Sequence, residues 1–222
     1  EILIGLVGSE MCIRDSNYYG DGVTQTEAET FYNTMKQEGD PRPVMYGMNS
    51  RLERAADGSL HENVWRADGM YGAAIRQIVQ MLSQAIPYAE NERQQSVIRK
   101  LIEFYETGNL AVFDAYTILW VEETEGEVDF TNGFTEVYGD PLGLKASWEG
   151  YVNYTDHQAT RRAQALSRNA QWFEDHSPVD ARFKKPLCRG VSAKVINAAI
   201  LGGDLYPSSA VSYTHLTLPT KL

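Results

Sequence analysis

Apolar positions recur with a helical period over most of the chain. Ala28, Phe31, Tyr32 and Met35 lie on one face of a short helix, which the pattern Thr26-Glu27-Ala28-Glu29 opens as a capping box and Gly39-Asp40-Pro41 closes. Ile75, Ile78, Val79, Leu82 and Ile86 form a second stripe that runs from Tyr71 to Pro87. Asn91 with Gln94 predicts the cap of the next helix, whose stripe is Val97, Ile98, Leu101, Ile102 and Tyr105 and whose stop is Thr107-Gly108-Asn109. Leu110 to Glu122 makes a further helix. Thr155-Asp156 caps another, with Ala163, Leu166, Ala170 and Phe173 as its inner face and Ser177-Pro178 as its end.

Two stretches break this period. Asp57-Gly58 lies between Asn49-Ser50-Arg51-Leu52 and His61 to Trp65, which predicts a turn joining two extended segments. The stretch VDFTNGFTEVYGDPLG is too rich in Thr, Val, aromatic residues and Gly for a helix and reads as strand, turn and loop. The expected fold class is therefore α+β, mainly helical, with a small mixed or antiparallel sheet. No internal repeat and no low-complexity linker interrupts it.

The two ends follow another logic. The opening EILIGLVGSEMCIRDS lacks the basic start and unbroken apolar run of a secretory signal. Back-translation of Glu10 to Ser16 gives a DNA whose reverse complement, in another frame, encodes Val-Ser-Tyr-Thr-His-Leu, the residues at Val211 to Leu216. That DNA resembles the transposase end used in preparing sequencing libraries. Residues 1–16 and 211–222 are accordingly expected to be adapter translation, with 17–210 the biological portion.

Charge and composition narrow the function classes. The sequence has 20 Lys+Arg against 30 Asp+Glu, a formal charge of −10, which repels phosphate backbones and anionic lipids. Nucleic acid and membrane are not expected partners, and no stretch has the apolar length needed to cross a bilayer. Between the flanks, Cys188 is the single cysteine, which rules out a disulfide framework and fits a reducing, cytoplasmic compartment.

Candidate chemistry is sparse. The acidic run Glu122, Glu123, Glu125, Glu127 and Asp129 has the oxygen ligands calcium wants, but not the order of an EF-hand loop, and reads as a solvated loop. His61, His157 and His176 have no second ligand at helical or turn spacing and make poor zinc ligands; His176 suits a helix C-terminus. Glu136 and Glu149 have the residue types of a glycosidase acid and base pair. Strand alternation places Glu136 and Tyr138 on one face beside the turn Gly-Asp-Pro-Leu-Gly, and from spacing alone this remains either an exposed polar face or a site.

The strings FYNTMKQEGDPRPVMYGMNSRL, KLIEFYETGNL, VDFTNGFTEVYGDPLGLKASWEG, NAQWFEDHSPVDARFKK and GVSAKVINAAILGGDLYP together resemble the bacterial branch of the dipeptidyl peptidase III family. The resemblance implies a two-lobed, zinc-dependent aminopeptidase that releases dipeptides from the N-terminus of oligopeptide substrates, with this chain part of the lobe opposite the zinc. It implies that Gly133, Phe134, Glu136 and Tyr138, matching Gly-Phe-x-Glu-x-Tyr, contact substrate: the Glu anchors the free α-amino group and the Tyr holds substrate near the scissile carbonyl. The family's zinc motif, His-Glu-x-x-Gly-His, does not occur in this sequence, so the resemblance implies zinc for a complete parent and no catalytic residue or metal ligand here. The competing expectation is a non-catalytic peptide-binding or helical scaffold protein.

Overall fold

The computed structural model describes residues 13, 16–36, 38–41, 44–190 and 194–206. Apart from residues 13 and 16, the flanks read as adapter translation lie outside the described residues. Ile13 is buried in a cluster with Tyr19, Val23, Ala28, Tyr32 and Leu52, a placement that follows from its apolar side chain and not from the origin of its codon.

The fold is α+β. Helix α1 (Gln25–Met35) is entered two residues earlier than Thr26 implies. Thr24 is the N-cap: its hydroxyl accepts from the Glu27 backbone N–H while the Glu27 carboxylate accepts from that of Thr24. Both Thr24 and Thr26 satisfy the sequence pattern; the earlier register buries Val23, Ala28 and Tyr32 together and is the one the core selects.

Strands β1 (Ser50–Arg54) and β2 (Leu60–Val64) pair antiparallel with Ser50 opposite Val64 and Arg54 opposite Leu60, joined through Gly58 at φ +86°. Residues 18–20 run alongside β1: Gly20 N–H donates to Leu52 O at 2.7 Å and Leu52 N–H to Tyr18 O at 3.0 Å. Helix α2 (Gly72–Ala85) ends in a 3₁₀ turn (Ile86–Tyr88) that contains Pro87. Helices α3 (Glu92–Thr107) and α4 (Leu110–Glu122) follow, and Asn91 caps α3 by accepting from Gln94 N–H, as expected. Gly108 ends α3 at φ +69°, the left-handed conformation of a C-terminal glycine. Leu101, Phe104 and Tyr105 of α3 are fully buried, and Phe104 packs at a tilt against Phe113 of α4 with ring centroids 4.6 Å apart.

Strands β3 (Val128–Glu136), β4 (Ser147–Thr155) and β5 (Ile196–Gly203) form a three-stranded sheet in the order β3-β4-β5. Pattern alone assigns neither β4 nor β5. The chain divides into two compact units: Glu1–Gly126 with Asn132–Glu149 and Gly203–Leu222, and Glu127–Thr131 with Gly150–Gly202. Each of the three strands contributes residues to both.

The second unit departs from the expected single helix. Helix α5 (His157–Arg168), capped by Asp156, is separated from α6 (Ala170–His176) by Asn169, whose side-chain amide donates to Ala165 O at 2.7 Å. An Asn side chain that takes a carbonyl of the preceding turn competes with the helical ladder, and the helix stops there. The expected inner face is also corrected: Leu166 and Phe173 are exposed.

Candidate functional site

The end of β3 and the loop leading to β4 lie in the larger unit and carry Glu136 and Tyr138. The strand stops at Glu136, so Tyr138 stands beyond it in a turn closed by Asp140 N–H donating to Val137 O at 3.1 Å. A second turn follows, with Gly143 N–H donating to Asp140 O at 3.0 Å and Gly143 at φ +64°. Strand alternation therefore does not govern where the Tyr138 ring goes; the turn does.

Three carboxyl groups meet at this end. Glu136, Glu149 and Asp204 are half-buried. The Glu136 pKa is raised, first by burial, then by the charge of Glu149, a hydrogen bond with its carboxyl, and the charge of Asp204. Glu149 also accepts from the Thr135 hydroxyl at 2.7 Å. Tyr138, largely exposed, donates its hydroxyl to Asp204 Oδ2. Asp204 thus faces both predicted site residues, and its backbone N–H donates to Trp148 O at 3.0 Å. Just before it, Gly203 adopts φ +64°, and a Cβ there would lie 2.2 Å from Trp148 O, so this approach requires glycine. Reading the sequence missed Asp204; the one signal for it was Gly202-Gly203 just ahead, a mark of close backbone approach.

The other two predicted residues face inward. Gly133 is buried, and a Cβ on it would lie 2.8 Å from a Phe113 ring carbon. Phe134, 7% exposed, packs on Trp65 with ring centroids 5.0 Å apart. It lines a cavity of about 660 Å³ with Tyr18, Trp65, Tyr71, Ile75 and Trp148. Burial raises the Tyr18 pKa against the lowering effect of a hydrogen bond with Ser147, and the charges of Asp140 and Asp204 raise it further.

Residues 47–189 match the description Peptidase family M49. The chain belongs to peptidase family M49. It is 24% identical over 189 residues to the dipeptidyl peptidase 3 of Dictyostelium discoideum, covering 77% of this chain and 27% of that protein. It is 25% identical over 138 residues to that of Mus musculus, covering 62% and 18%. Among solved structures it resembles the dipeptidyl-peptidase III of Corallococcus sp. strain EGB (TM-score 0.59, 19% identity, 89% of this chain and 35% of that one) and the DPP III of Caldithrix abyssi (TM-score 0.64, 17% identity, 86% and 35%). The chain spans about a fifth to a third of the length of these relatives.

The zinc that M49 membership implies does not fit the donor set of the described residues. Among the described residues no group of three or more His, Cys, Asp or Glu side chains is disposed to hold a metal ion. His157 Nε2 lies 2.9 Å from Glu127 Oε2, and His61 Nε2 lies 3.9 Å from Glu53 Oε2. His176 Nδ1 lies 2.8 Å from Trp172 O and its ring stacks on Trp172, the placement expected for a helix C-terminus. Within the acidic run, Glu123 accepts from the backbone N–H groups of Glu125 and Gly126, so its carboxylate caps a turn. Glu136 and Glu149, the residue types of a glycosidase pair, lie close enough for the charge of Glu149 to raise the Glu136 pKa. No helix among the described residues is long and apolar enough to cross a membrane.

Proposed function

We propose that residues 17–210 are an incomplete substrate-binding lobe of a cytoplasmic M49 dipeptidyl peptidase that releases dipeptides from the N-terminus of oligopeptides. The observation that carries this reading is the convergence of Glu136, Glu149, Asp204 and the Tyr138 hydroxyl at one half-buried place. Three carboxyl groups this close, two of which raise the proton affinity of Glu136, make a site for a cation. The α-ammonium of a peptide is largely protonated near neutral pH, and a partly desolvated carboxylate gives it a charge-assisted hydrogen bond that a mid-chain amide cannot make. Anchoring the terminus at Glu136 fixes how far into the chain the cut falls.

In this reading Glu136 holds the ammonium, Tyr138 orients the backbone near the scissile bond, and Phe134 offers an apolar wall through the cavity it lines. Gly133 acts at one remove, since its lack of a Cβ lets β3 settle on Phe113. The zinc of such a peptidase is assigned to residues outside those described here, so the chain by itself is expected to lack activity.

The test uses the full-length protein that carries this chain. Glu136→Gln is expected to lower kcat/KM for dipeptide release from a free-amine peptide by the equivalent of about 2–5 kcal/mol, the usual cost of breaking one side of a buried charge pair. An N-acetylated peptide is expected to be a poor substrate for both forms. Unchanged kinetics in Glu136→Gln overturns the assignment.

A further inference from the structure

Directly behind the proposed site lies a buried polar network that the functional reading does not use. Asp140, 4% exposed, is its node. Its backbone N–H closes the turn that carries Tyr138, and its backbone carbonyl closes the next turn at Gly143. Its Oδ2 accepts from Leu144 N–H at 2.8 Å, Lys145 N–H at 2.9 Å and the Tyr19 hydroxyl at 2.9 Å, a partner 121 residues away. Five hydrogen bonds thus fix the ten residues between Glu136 and Ser147 through one side chain and its own backbone.

Lys145 seats this loop on the core. It is completely buried, and its ammonium donates to the Tyr32 hydroxyl and, at 2.9 Å, to Ser50 Oγ, with Glu62 Oε1 at 3.9 Å. The Tyr32 hydroxyl donates to Glu62 Oε1 at 2.9 Å. The loop is therefore tied to α1, β1 and β2 at once, and Ala146 N–H donating to Met48 O at 3.0 Å completes the attachment. A surface loop that only had to connect two strands would not need a buried cation and a buried carboxylate, whose desolvation is costly. Such a cost is explained where the loop must hold neighbouring groups to a fraction of an ångström.

We propose that Asp140, gripped by Tyr19 and seated on the core through Lys145, is a positioning residue that sets where Glu136 and Tyr138 stand. It touches no reacting atom. Its effect on catalysis rests on the function proposed above, but its effect on the Glu136 environment does not, and the two are read separately.

The experiment compares Asp140→Asn, Asp140→Ala and Tyr19→Phe. In the 222-residue chain with ¹³C-labelled glutamate carboxyls, the Glu136 titration is expected to fall back toward the ordinary glutamate range in Asp140→Ala, and less in Asp140→Asn, whose amide oxygen can still accept the two backbone N–H groups. Tyr19→Phe, which keeps the ring and removes one hydrogen bond, is expected to move it in the same direction and decides the matter if Asp140→Ala does not fold. In the full-length protein the same order is expected in kcat/KM per folded molecule, with a loss of about ten- to a hundredfold for Asp140→Ala. A Glu136 titration that stays at the wild-type value in the folded variants overturns the positioning role whatever the activity does. An unmoved titration with a lower melting temperature would make the network merely structural. If the titration shifts but Glu136→Gln leaves peptide cleavage unchanged, positioning stands and the proposed function falls.

Discussion

Glu136 at the end of β3 faces Glu149 on β4 closely enough that, after burial, the Glu149 carboxyl is the main cause of a raised Glu136 pKa. In the folded chain Glu136 therefore binds its proton more tightly than in the unfolded chain. As pH rises through the ordinary glutamate range the folded state retains a proton that the unfolded chain has lost, so Glu136 lowers stability as pH increases to its raised pKa and keeps it lowered above. Glu149→Gln, which retains an oxygen for the Thr135 hydroxyl, is expected to return Glu136 toward its ordinary titration and to stabilise the chain at neutral pH by about 0.2–1 kcal/mol. Urea unfolding at acid and neutral pH checks both the sign and the interval.

Lys145 gives the opposite slope. Burial pushes its ammonium down to about 8, against the upward pull of Glu62 and Asp140. An unfolded lysine keeps its proton to about 10.4. Above pH 8 the unfolded chain thus holds more protons than the folded one, and this group's contribution to stability rises with pH. Wild type is expected to gain about 1.5 kcal/mol relative to Lys145→Met between pH 8 and 9.5, read from paired urea melts. At pH 7 the same substitution is expected to cost about 3 kcal/mol, because Glu62 and Asp140 lose their buried counter-charge.

Thr24 and Thr26 separate cleanly. Thr24→Ala removes the cap of α1 and is expected to cost about 1 kcal/mol, while Thr26→Ala, one turn position inside the helix, is expected to change stability by less than about 0.5 kcal/mol. Equal effects in thermal unfolding would place the cap wrongly.

Two glycines are set by different constraints. Gly108→Ala meets both a φ of +69° and a Val64 methyl 2.5 Å from the new Cβ, and is expected to destabilise by about 1–3 kcal/mol. Gly133→Ala keeps an ordinary backbone but drives a methyl against Phe113, with a similar expected cost of about 1–3 kcal/mol from overpacking. Combining Gly133→Ala with Phe113→Leu is expected to recover part of the second loss; pairing Gly108→Ala with Phe113→Leu should recover none of the first.

The sequence by itself determined the helices of the larger unit, the cap at Asn91, the stop at Gly108 and the hairpin at Asp57-Gly58. Each is a local event: a side chain reaching a backbone group two or three residues away, or an apolar stripe with one period, and so each leaves its mark within a short window. It also carried the motif around Glu136, through a resemblance that the M49 match bears out for the family. Only the tertiary structure decided what that motif stands on. Lys145 looks like a surface lysine until Tyr32, 113 residues away, and Ser50, 95 residues away, close over it; Asp140 looks like a turn residue until Tyr19 reaches it. Asp204 joins Glu136 and Tyr138 only because β5 returns beside β4. The same holds in reverse for Leu166 and Phe173, whose helical spacing is ordinary and which nonetheless stay exposed. Periodicity tells which face of a helix is apolar; whether anything packs on it depends on chain far away in sequence, and the charge, burial and proton affinity of a site depend on the same distant neighbours.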